Sequence, residues 1–392
     1  MRALALSGGA AVSVGFARFG YALILPAMRS DMALGYTAAG SLNTANAIGY
    51  FAGALLVITL AARMGDRPLF SAGLLLTTLS LLFCGFTRDI GWLLVWRFVS
   101  GLGAAGTFIC GGVLAGRLGS RAVAAYFSGA GVGMIASGAA LPWLFATQGA
   151  LAWQAAWVWM GLACVPITVA AWWAAPREDG SAGEKTARAW PWQNCLPLLC
   201  AYGLFGMGYI SYMTFMIAWL KDEGIATLSL AAATAALWCV LGAATLVAPR
   251  LWRPVVEERL DGRPMAWAIG CVAVGAALPM LLPNVFGILG SAILVGASVF
   301  MVPSAATLFT NANIGRAQQT PALAAMTVVF AAGQIAGPVF AGFLSDFYKT
   351  LDVGLGASAA VLALGSIVAL LQRPLQGKQA TMQPSVDDPA YR

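Results

Sequence analysis

The sequence predicts an all-α membrane protein, with 12 transmembrane helices arranged as two six-helix, pseudo-symmetric bundles. Three observations carry that prediction. Of the 392 residues, 60% are hydrophobic and 9% are charged, whereas a soluble domain carries ~25% charged residues. The apolar residues gather into twelve runs, most of them near the ~20 residues a helix needs to span a bilayer. Short motifs of the first half also recur in the second.

The runs cover approximately 4–28, 37–61, 68–86, 91–116, 122–146, 153–175, 194–219, 228–250, 265–283, 285–310, 320–344 and 352–372, with ends good to ~3 residues. Pro, Gly or charged residues punctuate most of the breaks. The faintest boundary, between segments 9 and 10, carries Pro283 and Asn284 alone. A polar break containing Arg177, Glu178, Asp179, Glu184, Lys185 and Arg188 divides the chain. The expected organisation is therefore an N-terminal bundle at 1–175, a cytoplasmic linker at 176–193, a C-terminal bundle at 194–372 and a disordered cytoplasmic tail at 373–392. The tail is polar and lacks an apolar face.

Charge orients the helices. With the N-terminus cytoplasmic, sixteen Lys and Arg fall in inside loops and tails and four fall outside: Arg29, Arg88, Lys221 and Lys349. That bias matches the positive-inside rule, and an even helix count returns the C-terminus to the cytoplasm. Arg18 and Arg97 lie within the spans. The net charge of +7 is spread over short loops, which argues against a nucleic-acid partner. The seven Cys form no CxxC pair and the chain has no His, so neither a zinc site nor a disulfide framework is expected. The first segment is long, carries Arg18 and lacks a cleavage site, so it reads as a retained helix rather than a signal peptide. No nucleophile with a partnered base and no paired acids point to an enzyme, and no cofactor or metal is expected.

Arg18 is the centre of the functional reading. An arginine at mid-membrane costs roughly 2.5–3.5 kcal/mol on insertion scales, so it needs a partner, a wet cavity or a ligand. Gly8, Ala11, Gly15 and Ala22 form a small-residue stripe beside it, which suits close helix packing and turns Arg18 inward. Either it attracts an anionic substrate, a carboxylate above all, or helix carbonyls and polar neighbours satisfy it. Segment 2 offers Asn43, Asn46 and Tyr50 on one face, with Gly49 and Gly53 on the next. The asparagines line a cavity or bond across to a neighbouring helix. Segment 7 sets Tyr209, Tyr212 and Met216 on one face, and segment 11 sets Thr327, Phe330 and Gln334. The expected binding set is Arg18, Tyr21, Asn43, Asn46, Tyr50, Tyr209, Tyr212 and Gln334.

The repeats link the halves. Gly15–Tyr21 and Gly203–Tyr209 both read Gly, four residues, Gly-Tyr. Gly129, Gly133, Gly138 and Pro142 in segment 5 echo Gly333, Gly337, Pro338 and Gly342 in segment 11. Gly65-Asp66-Arg67-Pro68 echoes Asp261-Gly262-Arg263-Pro264. Duplicated halves are typical of secondary transporters, with the substrate site near the midplane at their interface.

On these motifs the chain resembles the major facilitator superfamily over nearly its whole length. Arg97 with Gly101 and Gly103 is similar to its helix 4 motif, Gly129–Pro142 to the helix 5 pattern of many exporters, and Gly65-Asp66-Arg67 to a shortened form of its helix 2–3 loop motif, from which Met64 and Pro68 depart. GFARFGY at 15–21, Ile24–Pro26, ANAIGYFAGAL at 45–55 and GYISYMTF at 208–215 resemble the YbfB/YjiJ branch. The resemblance implies a multi-pass transporter of the bacterial inner membrane, monomeric, surrounded by lipid and working by alternating access on a small molecule. It implies a network role for Arg97 tying helix 4 to its neighbours, with proton movement as the other role known for this position. It assigns conformational control to Asp66 and Arg67.

All fifteen Asp and Glu lie in loops, tails or segment ends. A proton relay normally uses Asp, Glu or His inside the membrane, so a coupling proton must use an end carboxylate such as Asp31 or Asp346, or the substrate's own protonation. The missing mid-membrane acid also counts against a cationic-drug exporter. The leading reading is a carrier of a small organic anion, and the rival is a broad exporter of apolar or drug-like compounds.

Overall fold

The computed structural model describes residues 1–34, 36–176, 190–222 and 230–375. Among them there is no strand, and twelve helices are long and apolar enough to cross a membrane. They are α1 (Arg2–Leu25), α2 (Ser41–Met64), α3 (Asp66–Cys84), α4 (Ile90–Leu118), α5 (Ser120–Gln148), α6 (Trp153–Ala174), α7 (Trp192–Met216), α8 (Ala232–Val255), α9 (Arg263–Leu281), α10 (Val285–Asn313), α11 (Arg316–Ser345) and α12 (Leu351–Leu370). Most of the expected linker and tail, residues 177–189 and 376–392, lies outside the described residues, as does the side chain of Asp346.

Up-and-down threading puts the start of α1, the end of α12 and the α6 and α7 ends that flank the linker on one face, called here the termini face. The junctions there are tight. Gly65 alone separates α2 from α3, and Gly119 alone separates α4 from α5. Their φ values of 82° and 113° are ones that residues with a Cβ rarely adopt. The faint boundary between α9 and α10 is real: Asn284 caps α10 by accepting from Gly287 N at 3.0 Å, a standard N-cap role.

The packing repeats after six helices. α2 packs on α4, α3 on α4 and α6, and α1 on α5 and α6. The same pairs recur as α8 on α10, α9 on α10 and α12, and α7 on α11 and α12. The halves meet where α2 packs on α11 and α5 on α8. The repeated glycines make the matching crossings. A Cβ on Gly15 would stand 2.8 Å from Gly133 Cα, and one on Gly133 equally close to Gly15 Cα, so α1 and α5 touch backbone to backbone. In the second half a Cβ on Gly333 would strike Gly203 O and stand 2.9 Å from Met207 N. Such crossings let helices gain van der Waals contact without a hydrophobic drive between them.

Three helices are irregular at depth. Residues 11–19 of α1 form a π-helix, α5 turns at Gly129 and α10 at Phe300. Gly129 sits where a side chain would strike Ser7 O. The apolar periodicity of these segments gives no sign of the breaks, because it reports burial and not backbone geometry.

Candidate functional site

The wide π turn carries Arg18. Its side chain points inward, and only 9% of the residue is exposed. The guanidinium lies 5.5 Å from the Tyr50 ring centre, and its Nε is buried with no hydrogen-bond partner. The repeat in α7 puts Gly206 at the matching position, where a side chain would strike Phe330 O. The duplicated scaffold therefore keeps a charge on one side only.

Arg97 is close by and differently held. It is 1% exposed. Its Nη1 donates to Ala17 O in the π segment at 2.7 Å and its Nε reaches Leu42 O at 3.5 Å, while its Nη2 is buried without a hydrogen-bond partner. The Tyr21 and Trp157 rings lie 4.6 and 5.5 Å from its guanidinium carbon. Arg97 thus joins α1, α2, α4 and α6. The carbonyl that Arg97 reaches, Ala17 O, lies within the π segment, a backbone form frequent at functional sites. The two guanidinium groups are within electrostatic reach of each other. Among the described residues the Asp and Glu lie at helix ends or in loops, so the two arginines give this depth a positive charge, which favours anions.

Across the seam from Arg18 stand the second-half residues. Tyr50 of α2 meets Phe330 of α11 edge to face, with ring centres 6.5 Å apart. Phe330 stacks on Tyr209, centres 5.7 Å apart, and Gln334 Nε2 donates to the Tyr209 hydroxyl at 2.6 Å. Gln334 Oε1 is buried without a partner. Arg18 is within electrostatic reach of both Tyr50 and Tyr209. A small cavity of about 10 Å³ lies toward the termini face, lined by Phe108, Tyr202, Thr307 and Thr327 among others. The seam is closed around these groups.

The structure therefore brings Arg18, Tyr50, Tyr209 and Gln334 together, and it sends the other expected binding residues elsewhere. Tyr21 stacks on Trp157 at 6.1 Å and faces Arg97. Asn46 Nδ2 donates to Arg97 O at 3.1 Å, bridging α2 to α4. Tyr212 shares a 2.5 Å hydrogen bond with Ser291 of α10, inside the second half. Asn43 is half-buried near the far end of α2. Helical spacing identified the faces but not the neighbours each face would meet.

The conformational residues occupy the two faces. At the termini face Asp66 pairs with Arg117 of α4 and accepts from Thr320 Oγ1 of α11 at 2.7 Å. The shortened loop thereby ties the two halves together. Arg67 lies over the Trp172 ring at 5.7 Å. A Cβ on Gly116 would strike Asn311 Nδ2, so α4 and α10 also meet at this face. At the far face Asp31 pairs with Arg88 and accepts from Trp153 Nε1 at 2.7 Å. The indole bond first and the Arg88 charge with it hold its carboxyl below the usual range. The second half repeats the tie with its partners exchanged: Trp219 Nε1 at the end of α7 donates to Asp352 at the start of α12 at 2.8 Å. Neither tryptophan stood out as functional in the sequence. Trp219 does stand 188 residues after Asp31, the same offset that relates Gly203 to Gly15, and that register was the available signal.

An inward arginine whose Nε lacks a hydrogen-bond partner thus lies at the seam of two repeated six-helix halves, and duplicated halves of this kind are typical of membrane transporters. Residues 10–370 match the family described as "Uncharacterised MFS-type transporter YbfB", and the chain belongs to that family of major facilitator superfamily transporters. The structure is similar to the crystal structure of the major facilitator FucP in the outward conformation, with a TM-score of 0.69 over 94% of this chain and 97% of that one at 14% identity. The niacin transporter NiaP of Acinetobacter baylyi is 34% identical over 85 residues, which is 22% of this chain and 19% of that transporter's length.

Proposed function

We propose that this protein carries a small organic anion across the bacterial inner membrane by alternating access. The carrying observation is the unpartnered, nine-tenths-buried guanidinium of Arg18 at the seam. A guanidinium is always charged in proteins, so the site holds a cation whose Nε has no hydrogen-bond partner. A carboxylate offers two acceptors matched to the guanidinium fork. The short match to a niacin transporter agrees in charge class, since niacin is a carboxylate.

The closed termini face, with Asp66, Arg117 and Thr320 in one cluster, fits a state shut toward the cytoplasm with both termini cytoplasmic, and a monomer suffices. Residues 1–175 and 194–372 act as the two moving units, with the 176–193 linker and the 373–392 tail on the cytoplasmic side. Tyr50, Tyr209 and Gln334 join Arg18 in the binding set. Tyr21, Asn43, Asn46 and Tyr212 support it from behind, and Arg97 fixes the depth of the π turn. Asp31 is tied in its half, so a coupling proton travels on the substrate itself or through Asp346.

The test is binding in detergent, read as a carboxylate-induced rise in melting temperature. Arg18→Lys should weaken the rise and Arg18→Ala should abolish it, while both proteins stay folded. Retained anion binding in Arg18→Ala would refute the proposal. The aromatic rings at the seam favour a second reading, export of apolar compounds. Equal binding of neutral lipophilic dyes to wild type and Arg18→Ala would support that reading instead.

A further inference from the structure

The seam specifies more than charge. Tyr202, Phe205 and Tyr209 recur at i, i+3 and i+7 on one stripe of α7, and Phe330 of α11 lies among them. The Phe330 plane is within 6° of Tyr209, 15° of Tyr202 and 18° of Phe205, with centres 5.7, 4.8 and 5.7 Å away. Tyr202 and Phe205 differ by 6°, and Phe205 and Tyr209 by 14°. Two helices thus present four nearly parallel rings as one flat wall. Its members are each at most 5% exposed.

The Tyr50 ring rests against that wall. It meets Phe330 at 67° and is backed by Phe108 at 6.2 Å. Its other neighbour is the Arg18 guanidinium. In the closed seam, then, an aromatic ring sits between a flat aromatic wall and a cation. Tyr50 and Arg18 belong to the first half and Phe330 to the second, so parting the halves separates the ring from the wall. The gap that opens is bounded by ring faces on one side and by a guanidinium at its edge. The wall's polar fittings are the Tyr209 hydroxyl and the unpartnered Gln334 Oε1.

We infer that the anion is a planar aromatic carboxylate, its ring inserted between Tyr50 and Phe330 and its carboxylate on Arg18. The inference rests on the anion reading above. A planar ring can stack on the wall in the offset geometry that aromatic pairs prefer, and a saturated ring of the same size cannot.

The experiment measures binding of four probes to the purified full chain in detergent: benzoate, cyclohexanecarboxylate, hexanoate and benzamide. Benzoate should bind roughly 2- to 10-fold tighter than cyclohexanecarboxylate, the worth of one stacked ring pair. It should bind at least ~10-fold tighter than neutral benzamide, the worth of charge-assisted hydrogen bonds. In Phe330→Leu the benzoate advantage over cyclohexanecarboxylate should shrink, in a variant that stays monodisperse on size exclusion with a melting transition in the absence of ligand. Equal binding of benzoate, cyclohexanecarboxylate and hexanoate overturns the aromatic inference and leaves the anion reading standing. Equal binding of benzoate and benzamide overturns both, as does a failure of all three carboxylates to bind, whereas a failure of benzoate alone overturns only the aromatic inference. An undiminished benzoate preference in Phe330→Leu overturns the wall's role.

Discussion

Replacing Arg97 and Arg18 singly by alanine should move stability in opposite directions, although both are arginines buried at one depth. Arg97→Ala removes a charge-assisted bond to Ala17 O at 2.7 Å, worth ~1.5–3 kcal/mol. It also removes ring contacts with Tyr21 and Trp157, at ~0.5–2 kcal/mol each. The freed carbonyl is left buried, and the long side chain leaves a void. Against that, the substitution relieves the burial cost of one cation, ~2.5–3.5 kcal/mol. Losses exceed relief by roughly 2–4 kcal/mol once the void is included. Arg18→Ala relieves the same cost and gives up one ring contact with Tyr50, worth ~0.5–1 kcal/mol. The Arg18 variant should therefore melt at or above wild type, and the Arg97 variant clearly below it. The assay is melting in one detergent at one protein concentration, without ligand, followed by size-exclusion monodispersity. A fall in Arg18→Ala as large as that in Arg97→Ala would make Arg18 a structural member and remove the argument for an anion.

Asp66→Asn and Thr320→Val each weaken the tie at the termini face, and single cysteines placed near the closed α4–α10 crossing should label faster in both variants. Because its folded pKa is lowered, the Asp31 pairing stabilises the protein above the unfolded carboxylate pKa and is lost as pH falls through the folded value. Wild type should thus lose stability between roughly pH 5 and 3 more steeply than Asp31→Asn. Gly15→Leu forces α1 off α5 at the Gly133 contact and should abolish folded yield, whereas Gly119→Ala, in open space but at φ 113°, meets backbone strain alone, ~1–3 kcal/mol, and should be recovered folded at reduced yield. Reporter fusions after Trp190 and Arg373 should both give cytoplasmic signals, and a periplasmic signal from either would invert the orientation.

The spans were legible because a bilayer enforces length and apolarity, and the glycine crossings were legible because the repeat preserved them. Even the faint Pro283–Asn284 boundary coincides with a capped helix start. The site was only half legible. Arg18 stood out because an ionisable residue in an apolar run is costly and needs a partner, a wet cavity or a ligand, and Tyr50, Tyr209 and Gln334 shared its depth. Tyr21, Asn46 and Tyr212 were placed on inward faces in common with them, yet each inward face touches several helices. Tyr21 turned to Arg97, Asn46 to the Arg97 carbonyl and Tyr212 to Ser291. The π turn had no sequence signature, since the apolar periodicity of the segment is the same whichever carbonyls its amides bond.

The exchanged carboxylate–indole ties have a mechanical consequence. Asp31–Trp153 clasps α1 to α6, and Trp219–Asp352 clasps α7 to α12. The first and last helices of each half are pinned to each other at the far face, so neither half can splay there like a fan. Widening at that face must come from displacement along the α2–α11 and α5–α8 contacts, as a hinge between two stiff plates. Cutting a clasp should then soften one plate rather than open the gate: the aperture would grow sideways into lipid, and the protein would leak without carrying faster.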